Sequence, residues 1–179
     1  MLDSDITYCI FTTSINFTKM KLLLIASLSI LMASCNSTKT SETKEMTQLE
    51  YANTITAEDL KEHLYTFADD AMQGRMTGEQ GQKLAAEYLR NFYQDQGIAS
   101  PIEPNNYYQD IPAEYFNRMK EPKGSENVVA FIKGSEKPDE IIVLSAHYDH
   151  VGSENGQIYN GADDDGSGTV SMLEMAEAF

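Results

Sequence analysis

Histidine and aspartate side chains gather in one stretch near the C-terminal end of the 179-residue chain. His147 and Asp149 form an H-x-D motif, and three consecutive aspartates follow it, Asp163, Asp164 and Asp165. Adjacent carboxylates repel one another, which raises the pKa of some of them unless a cation lies nearby. The stretch therefore requires a source of positive charge.

Residues 141–179 contain no Lys or Arg. A cation that is local in the sequence would therefore be a metal ion. A solvated acidic loop is the alternative, and it would be the better interpretation of an isolated aspartate triplet. The neighbouring H-x-D motif and the strand-loop-helix pattern around it favour the metal.

The elements that flank the motif are those that bring such residues to one edge of a sheet. Ile141–Leu144 is a continuous apolar run, which predicts that the strand Glu140–Ala146 is buried on both faces. His147 follows that strand, and open α/β sheets bind ligands outside the carboxyl ends of their strands. Asp149 can then hold the second imidazole nitrogen, as a zinc-bound histidine requires. The run after Gly166 is apolar almost all round and predicts a buried helix.

Two helices are predicted before the strands. Thr56–Asp59 and Thr77–Gln80 both have the pattern of a capping box, and Gly97 is the predicted C-cap of the second helix. We expect a structural role for His63. We expect Arg75, which lies between the two helices, to form a surface or loop-fixing salt bridge, with carboxylate binding as the alternative.

The order of elements predicts an α/β fold with a mixed, mostly parallel sheet flanked by helices. Tyr107–Ile111 is the predicted edge strand, and Asn127–Ile132 is a further strand. The last helix reaches Phe179 without a glycine cap, a basic last turn or a polar stop. We therefore expect the fold to be incomplete at the C-terminus and the chain to be the N-terminal piece of a longer reading frame.

The N-terminal segment has the pattern of an export signal. Met20-Lys21 precedes the apolar run Leu22–Met32, which is too short to predict a membrane span. The tetrapeptide Met32–Cys35 resembles a bacterial lipobox. That resemblance implies cleavage before the cysteine and attachment of lipid to its thiol, with a simple signal peptide as the alternative.

We therefore expect residues 1–34 to be the signal segment, with Met20 as an alternative start. Residues 35–54, rich in Ser, Thr, Lys and Glu, form a predicted disordered tether. Residues 55–179 form the predicted folded body. The expected location is the bacterial cell envelope, as an exported lipoprotein that contacts the membrane through lipid on Cys35, and secretion is the alternative.

Charge and cysteine content exclude several other classes. A net charge of −15 disfavours nucleic acid and anionic membrane surfaces as partners. The two cysteines, Cys9 and Cys35, are both N-terminal. The body of the chain therefore has neither a disulfide framework nor a thiolate metal site. The oligomeric state is not encoded in any of these features.

Three stretches together resemble a known family. AHYDHVG (146–152) followed by NGADDDGSGTVSMLEMAEAF (160–179) resembles the co-catalytic zinc aminopeptidases, peptidase family twenty-eight of the metallo class. DDAMQGRMTGEQGQKLAAEYLRNFYQDQGI (69–98) is similar to the N-terminal helical segment of that family. The resemblance extends over residues 56–179, and glutaminyl cyclase and glutamate carboxypeptidase are more distant relatives.

The resemblance implies a phosphorylase/zinc-aminopeptidase-like fold and an exopeptidase that removes N-terminal residues from peptide substrates. His147 would ligate one of two zinc ions, Asp164 would bridge both, and Asp149 would orient His147. The Asp164–Asp165 peptide would be cis. The zinc ions would share a hydroxide that attacks the scissile carbonyl.

This chain departs from the family pattern because the general-base glutamate and the remaining ligands have no match in it. We therefore expect the 179-residue chain to be inactive by itself. Aminopeptidase, carboxypeptidase and cyclase chemistries share this half of the site, so the substrate preference is not encoded here.

Two other readings compete with the peptidase. Asp163, Asp165, Ser167, Gly168 and Glu174 fit the spacing of an EF-hand calcium loop, although the glycine-rich residues before the triplet cannot supply the helix that an EF-hand needs. A non-catalytic envelope lipoprotein on the same fold is the other alternative.

Overall fold

The computed structural model of this chain describes residues 46–118 and 120–179. The predicted signal segment, Cys35 and most of the predicted tether lie outside the described residues. The chain divides into two units, Met1–Lys44 and Glu45–Phe179, and the second contains all the elements below. Within the described ranges, no helix has the length and apolar character needed to cross a membrane.

The second unit combines helices with short strands. Its helices are α1 (Gln48–Ala52), α2 (Ala57–Phe67), α3 (Gln80–Asp95) and α4 (Ser167–Ala178). Its strands are β1 (Tyr108–Ile111), β2 (Ser125–Val128), β3 (Ser153–Glu154) and β4 (Gln157–Ile158). Short helical turns occupy Asp70–Arg75, Ala113–Phe116 and Ala162–Gly166. Strands β1 and β2 form one antiparallel pair, and β3 and β4 form another.

The core lies where the apolar faces of α2, α3 and α4 meet. Its fully or almost fully buried side chains are Phe67, Ala85, Leu89, Tyr93, Tyr107, Val170 and Leu173. Thr56 begins α2 as predicted, because its hydroxyl accepts the Asp59 N–H at 3.2 Å. Gly97 follows α3 with a φ of +69°, the left-handed conformation expected after a helix end.

A polar contact also joins α2 to α4. His63 lies 3.1 Å from the carboxylate of Glu174 and is hydrogen-bonded to the hydroxyl of Tyr88 at 2.6 Å. Glu174 is buried, so His63 supplies a partner that this carboxylate could not obtain from solvent. The structure thus gives His63 the structural role expected of it.

Two local predictions fail at helix starts. The predicted disordered tether differs from the structure at its end, where α1 forms and Thr47 and Glu50 make a reciprocal capping box. The predicted capping box at Thr77 is wrong, because Glu79 is the N-cap of α3 and makes no side-chain capping bond. The Thr77 hydroxyl instead donates to the carboxylate of Asp149.

The mixture of helices and strands is confirmed, but the described residues do not form the predicted mostly parallel sheet. Both pairs are antiparallel, and β2 ends at Val128 rather than Ile132. Residues 140–146 are not a strand, and Ile142 is 88% exposed. A strand exists through its hydrogen-bonded neighbours, and no described segment pairs with this one. Its apolar composition alone therefore does not bury it.

The prediction for the last helix holds along one side. Val170 and Leu173 are buried in the core, whereas Met172 and Met175 are half-buried and Phe179 is exposed. The apolar run Ile141–Leu144 is exposed as well, so it does not bury the other side of α4.

Candidate metal centre

The loop that carries the H-x-D motif runs beside the segment that precedes α3. Met76 and His150 form a parallel bridge, and the His150 N–H donates to the Arg75 carbonyl oxygen at 3.0 Å. The Gly152 N–H donates to the carbonyl oxygen of Gly74 at 2.9 Å. A Cβ atom on Gly74 would lie 2.2 Å from the Gly152 oxygen, so this approach requires glycine. The two segments therefore fix each other's path.

Arg75 holds the same loop from beneath and is fully buried. Its guanidinium donates to four carbonyl oxygens, those of Tyr148 (2.8 Å), Phe67 (2.8 Å), Asn160 (2.7 Å) and Gly161 (2.8 Å). Burial lowers the pKa of Arg75, and the nearby charge of Asp149 opposes that shift. Arg75 thus fixes the loop as expected, but through carbonyl groups instead of a salt bridge.

Tyr148, between the two members of the motif, anchors the loop in the core. Its hydroxyl donates to the carbonyl oxygen of Glu126 at 2.5 Å and accepts from the side-chain amide of Gln82. Burial, followed by the charges of Glu126 and Asp149, raises the pKa of Tyr148 well above its ordinary value, so it remains a neutral donor. Because neighbouring side chains of an extended segment point to opposite sides, anchoring Tyr148 leaves His147 and Asp149 outside.

The structure brings together the three residues predicted to form the site. His147 Nδ1 lies 3.0 Å from the backbone oxygen of Asp149 and 3.4 Å from its carboxylate oxygen Oδ1. His147 Nε2 lies 2.9 Å from Oδ1 of Asp164. One imidazole nitrogen thus faces the predicted orienting residue, and the other faces the predicted bridging ligand.

The start of α4 is tied to the same histidine. Asp165 accepts the His147 N–H at 3.3 Å and the Gly168 N–H at 3.2 Å, one with each carboxylate oxygen. The Thr169 hydroxyl donates to the carbonyl oxygen of His147 at 3.0 Å. The Asp164–Asp165 peptide is cis, as the family resemblance implies. A Cβ on Gly168 would lie 2.3 Å from Asp165 Oδ1, so this position also requires glycine.

These contacts fit a divalent metal at Nε2 of His147. With Nδ1–H donating to Asp149, neutral His147 presents a lone pair at Nε2 to the Asp164 carboxylate. Two acceptors 2.9 Å apart need a proton or a cation between them. Zinc forms bonds of about 2.0–2.2 Å to histidine nitrogen and carboxylate oxygen, so one ion can reach both atoms.

The electrostatics of His147 agree with a site built for positive charge. Partial burial lowers its pKa, but the hydrogen bonds and charges of Asp149 and Asp164 outweigh that effect and raise it overall. The carboxylates of Asp149 and Asp164 therefore favour a positive charge on or beside the His147 imidazole.

The remaining acidic and histidine residues contribute less. Asp163 is exposed, and His150 Nδ1 lies 3.9 Å from Asp164 Oδ2. In the described part of the chain, no three His, Cys, Asp or Glu side chains are arranged to hold a metal. The EF-hand alternative loses support, because the β3–β4 hairpin stands where its first helix would be and Glu174 is paired with His63.

Two residues around the site were not assigned their observed roles from sequence. The Thr77 hydroxyl contacts Asp149 from 72 positions away, and Arg75 reaches the carbonyls on both sides of the loop. Both residues lie in the run Gly-Arg-Met-Thr-Gly (74–78), which interrupts the helical pattern of the sequence. That interruption is the feature from which their contacts could have been suspected.

Comparison with known proteins identifies the segment that contains this site. Residues 127–179 match the model of a family described as Peptidase family M28. No solved structure matches the chain at a significant level. The matched segment, residues 127–179, contains His147, Asp149 and Asp164.

The matches to curated relatives are longer than the match to the family model. A "Probable zinc metalloprotease" from Pyricularia oryzae is 32% identical over 100 residues, covering 52% of this chain and 18% of the relative. A second "Probable zinc metalloprotease", from Leptosphaeria maculans, is 32% identical over 96 residues, covering 52% of this chain and 21% of the relative. The "Alkaline phosphatase isozyme conversion protein" of Escherichia coli is 30% identical over 124 residues, covering 64% of this chain and 34% of the relative. The chain spans about a fifth to a third of the length of these relatives.

Proposed function

We propose that this chain supplies part of the active site of a zinc-dependent peptidase of the aminopeptidase type. The observation that carries the proposal is the position of His147, with Nε2 facing Asp164 at 2.9 Å and Nδ1 facing Asp149. This arrangement is what a histidine ligand, its metal-bridging carboxylate and its orienting partner require. The family match and the two relatives named as probable zinc metalloproteases support zinc as the metal.

Each residue has a defined part in this proposal. His147 and Asp164 hold zinc, and Asp149 keeps the proton of the imidazole on Nδ1 so that Nε2 is free to bind. Zinc held there would supply a Lewis acid that activates water near neutral pH and polarises the scissile carbonyl of the peptide. Two zinc ions belong to the complete site that we propose, and its further ligands lie outside the residues that the structure describes.

The substrate, location and anchoring are also proposals. We infer that the substrate is a peptide with a free amino terminus. The signal-like segment before Cys35 supports export to the cell envelope, with lipid on Cys35 as the membrane anchor. Globomycin, which blocks removal of lipoprotein signal peptides, tests this directly. Accumulation of the unprocessed form and loss of labelled lipid in Cys35→Ser support the proposal, and unchanged processing contradicts it.

Hydrolysis tests the reaction itself. The protein isolated from its source is incubated with a peptide carrying a free amino terminus and with the N-acetylated form of the same peptide. We expect release of the N-terminal residue from the first peptide alone, loss of activity with a chelator and recovery with zinc. Cleavage of both peptides at an internal bond contradicts the aminopeptidase type, and activity that is insensitive to chelation contradicts zinc chemistry.

Residues 1–179 alone provide a matched sample for the same assay. We expect them to show no hydrolysis, because the described residues place no third ligand beside His147 and Asp164. A chelator-sensitive rate from this chain would show that the site is assembled from other residues.

A further inference from the structure

The side chain of Thr77 contacts the carboxylate of Asp149. Its hydroxyl donates to Asp149 Oδ2 across 72 positions of sequence. Thr77 directly follows Met76, which is bridged to His150 at the far end of the same loop. The backbone bridge between Met76 and His150 therefore fixes the position of the Thr77 hydroxyl relative to the loop.

The two carboxylate oxygens of Asp149 face different partners. Oδ2 accepts from Thr77, whereas Oδ1 lies 3.4 Å from Nδ1 of His147 and adds its charge to the 3.0 Å contact of that nitrogen with the Asp149 backbone oxygen. The Asp149 side chain is 39% exposed, so water competes for both oxygens. A carboxylate held at one oxygen by a fixed donor cannot rotate freely, and its second oxygen stays directed at the imidazole.

A purely structural hydrogen bond is the alternative explanation of this contact. Thr77 is not required to begin α3, because Glu79 is the N-cap of that helix. Within the residues that the structure describes, the hydrogen bond of the Thr77 hydroxyl goes to Asp149. The contact is placed for an effect on His147.

We propose that Thr77 is a positioning residue of the metal centre, acting through Asp149 on the metal ligand His147. The inference rests on the proposed zinc function and extends it, because Thr77 lies outside the family segment at residues 127–179. The threonine hydroxyl holds Asp149, Asp149 holds the proton on Nδ1, and Nε2 remains available to zinc.

Zinc binding by the full 179-residue chain tests this inference. Zn²⁺ is titrated into wild type, Thr77→Val and Thr77→Ser, and the imidazole NMR signals of His147 report the dissociation constant even when binding is weak. Thr77→Val keeps the shape of the side chain and removes the hydroxyl, whereas Thr77→Ser keeps the hydroxyl. Thr66→Val is the matched control, because the exposed Thr66 hydroxyl bonds to the Glu62 carbonyl within α2. Urea unfolding of each zinc-free variant shows whether it is folded.

We expect Thr77→Val to raise the zinc dissociation constant roughly ten-fold, the lower end of the range for partners that orient metal ligands. Thr77→Ser and Thr66→Val should bind zinc like the wild type. Wild-type binding with an unchanged constant in folded Thr77→Val overturns the inference alone. If Thr77→Val is unfolded, Thr77→Ser decides, because weakened binding in this hydroxyl-bearing variant contradicts the inference and wild-type binding supports it. Absence of zinc binding by the wild type overturns the proposed function and this inference together.

Discussion

The Nε–H of Arg75 donates to the carbonyl oxygen of Tyr148 at 2.8 Å, which ties a buried guanidinium to the residue between His147 and Asp149. Among the residues that the structure describes, no carboxylate lies within ion-pairing distance of this guanidinium, and carbonyl oxygens accept its hydrogen bonds. The charge of Arg75 is therefore used to organise backbone. Arg75 is therefore one of the side chains that fix the shape of the loop carrying the candidate metal centre.

Replacement of Arg75 tests that dependence. In Arg75→Lys the ammonium cannot span four carbonyl groups in the fork geometry of a guanidinium, so buried acceptors lose their donors. We expect the free energy of unfolding, measured by urea denaturation, to fall by about 2–4 kcal/mol. Arg90→Lys is the matched control, since Arg90 bonds to Glu87 and Asn91 on the surface of α3. Equal stability of the two variants would show that the carbonyl contacts of Arg75 contribute nothing.

Gly168 tests the link between α4 and the histidine loop. A methyl group at this position would meet Asp165 Oδ1 at 2.3 Å and displace a carboxylate that also accepts the His147 N–H. We expect Gly168→Ala to lose about 1–3 kcal/mol of stability in urea denaturation. In Gly134→Ala the nearest contact is the Lys137 oxygen at 3.9 Å, and this control should unfold like the wild type. If Gly168→Ala and Gly134→Ala give the same urea denaturation curve, the close approach of residue 168 to Asp165 is contradicted.

Buried Glu174 predicts a pH dependence of stability. Burial raises the pKa of Glu174 above its ordinary value, with the charges of Asp59 and Glu177 adding to the rise and His63 opposing it. The folded state therefore holds this proton more tightly than the unfolded state. The contribution to stability is fully present below the unfolded pKa and is lost as pH rises through the folded pKa.

Glu174→Gln removes this titration. We expect the variant to gain stability relative to the wild type as pH increases through the raised pKa, in urea denaturations from about pH 4 to pH 8. Ser171→Ala in the same helix supplies the control, because it removes no titratable group and should give a difference that stays nearly constant with pH. If the difference in the free energy of unfolding between Glu174→Gln and the wild type does not change with pH, or falls as pH rises, burial does not raise the pKa of Glu174.

Sequence predicted the part of the site whose residues are neighbours along the chain. The H-x-D motif and the aspartate triplet are each local, and the resemblance joined them into one site. The structure places His147 and Asp164 in contact, as that prediction requires. The pairing of Thr77 with Asp149 could not be read, because a threonine before a helix has the same local pattern whether it caps that helix or not.

The sheet prediction failed for a related reason. An apolar run such as Ile141–Leu144 records a preference for burial, whereas a strand depends on partners elsewhere in the chain. In the described residues β2 pairs with β1 and ends at Val128, and no segment pairs with the apolar run. Helices α2 and α3 were predictable because their hydrogen bonds and their apolar stripes are both local.

Zinc titration of the 179-residue chain, with matched aspartate variants, tests the central claim most directly. We expect wild type to bind Zn²⁺ with saturable shifts of the His147 imidazole signals, and Asp164→Asn to weaken binding by more than about ten-fold. Asp163→Asn carries the same change of charge on an exposed neighbour and should bind like the wild type. Equal losses in both variants would show that the triplet attracts zinc by charge alone, and calcium binding without zinc binding would contradict the proposed metal centre.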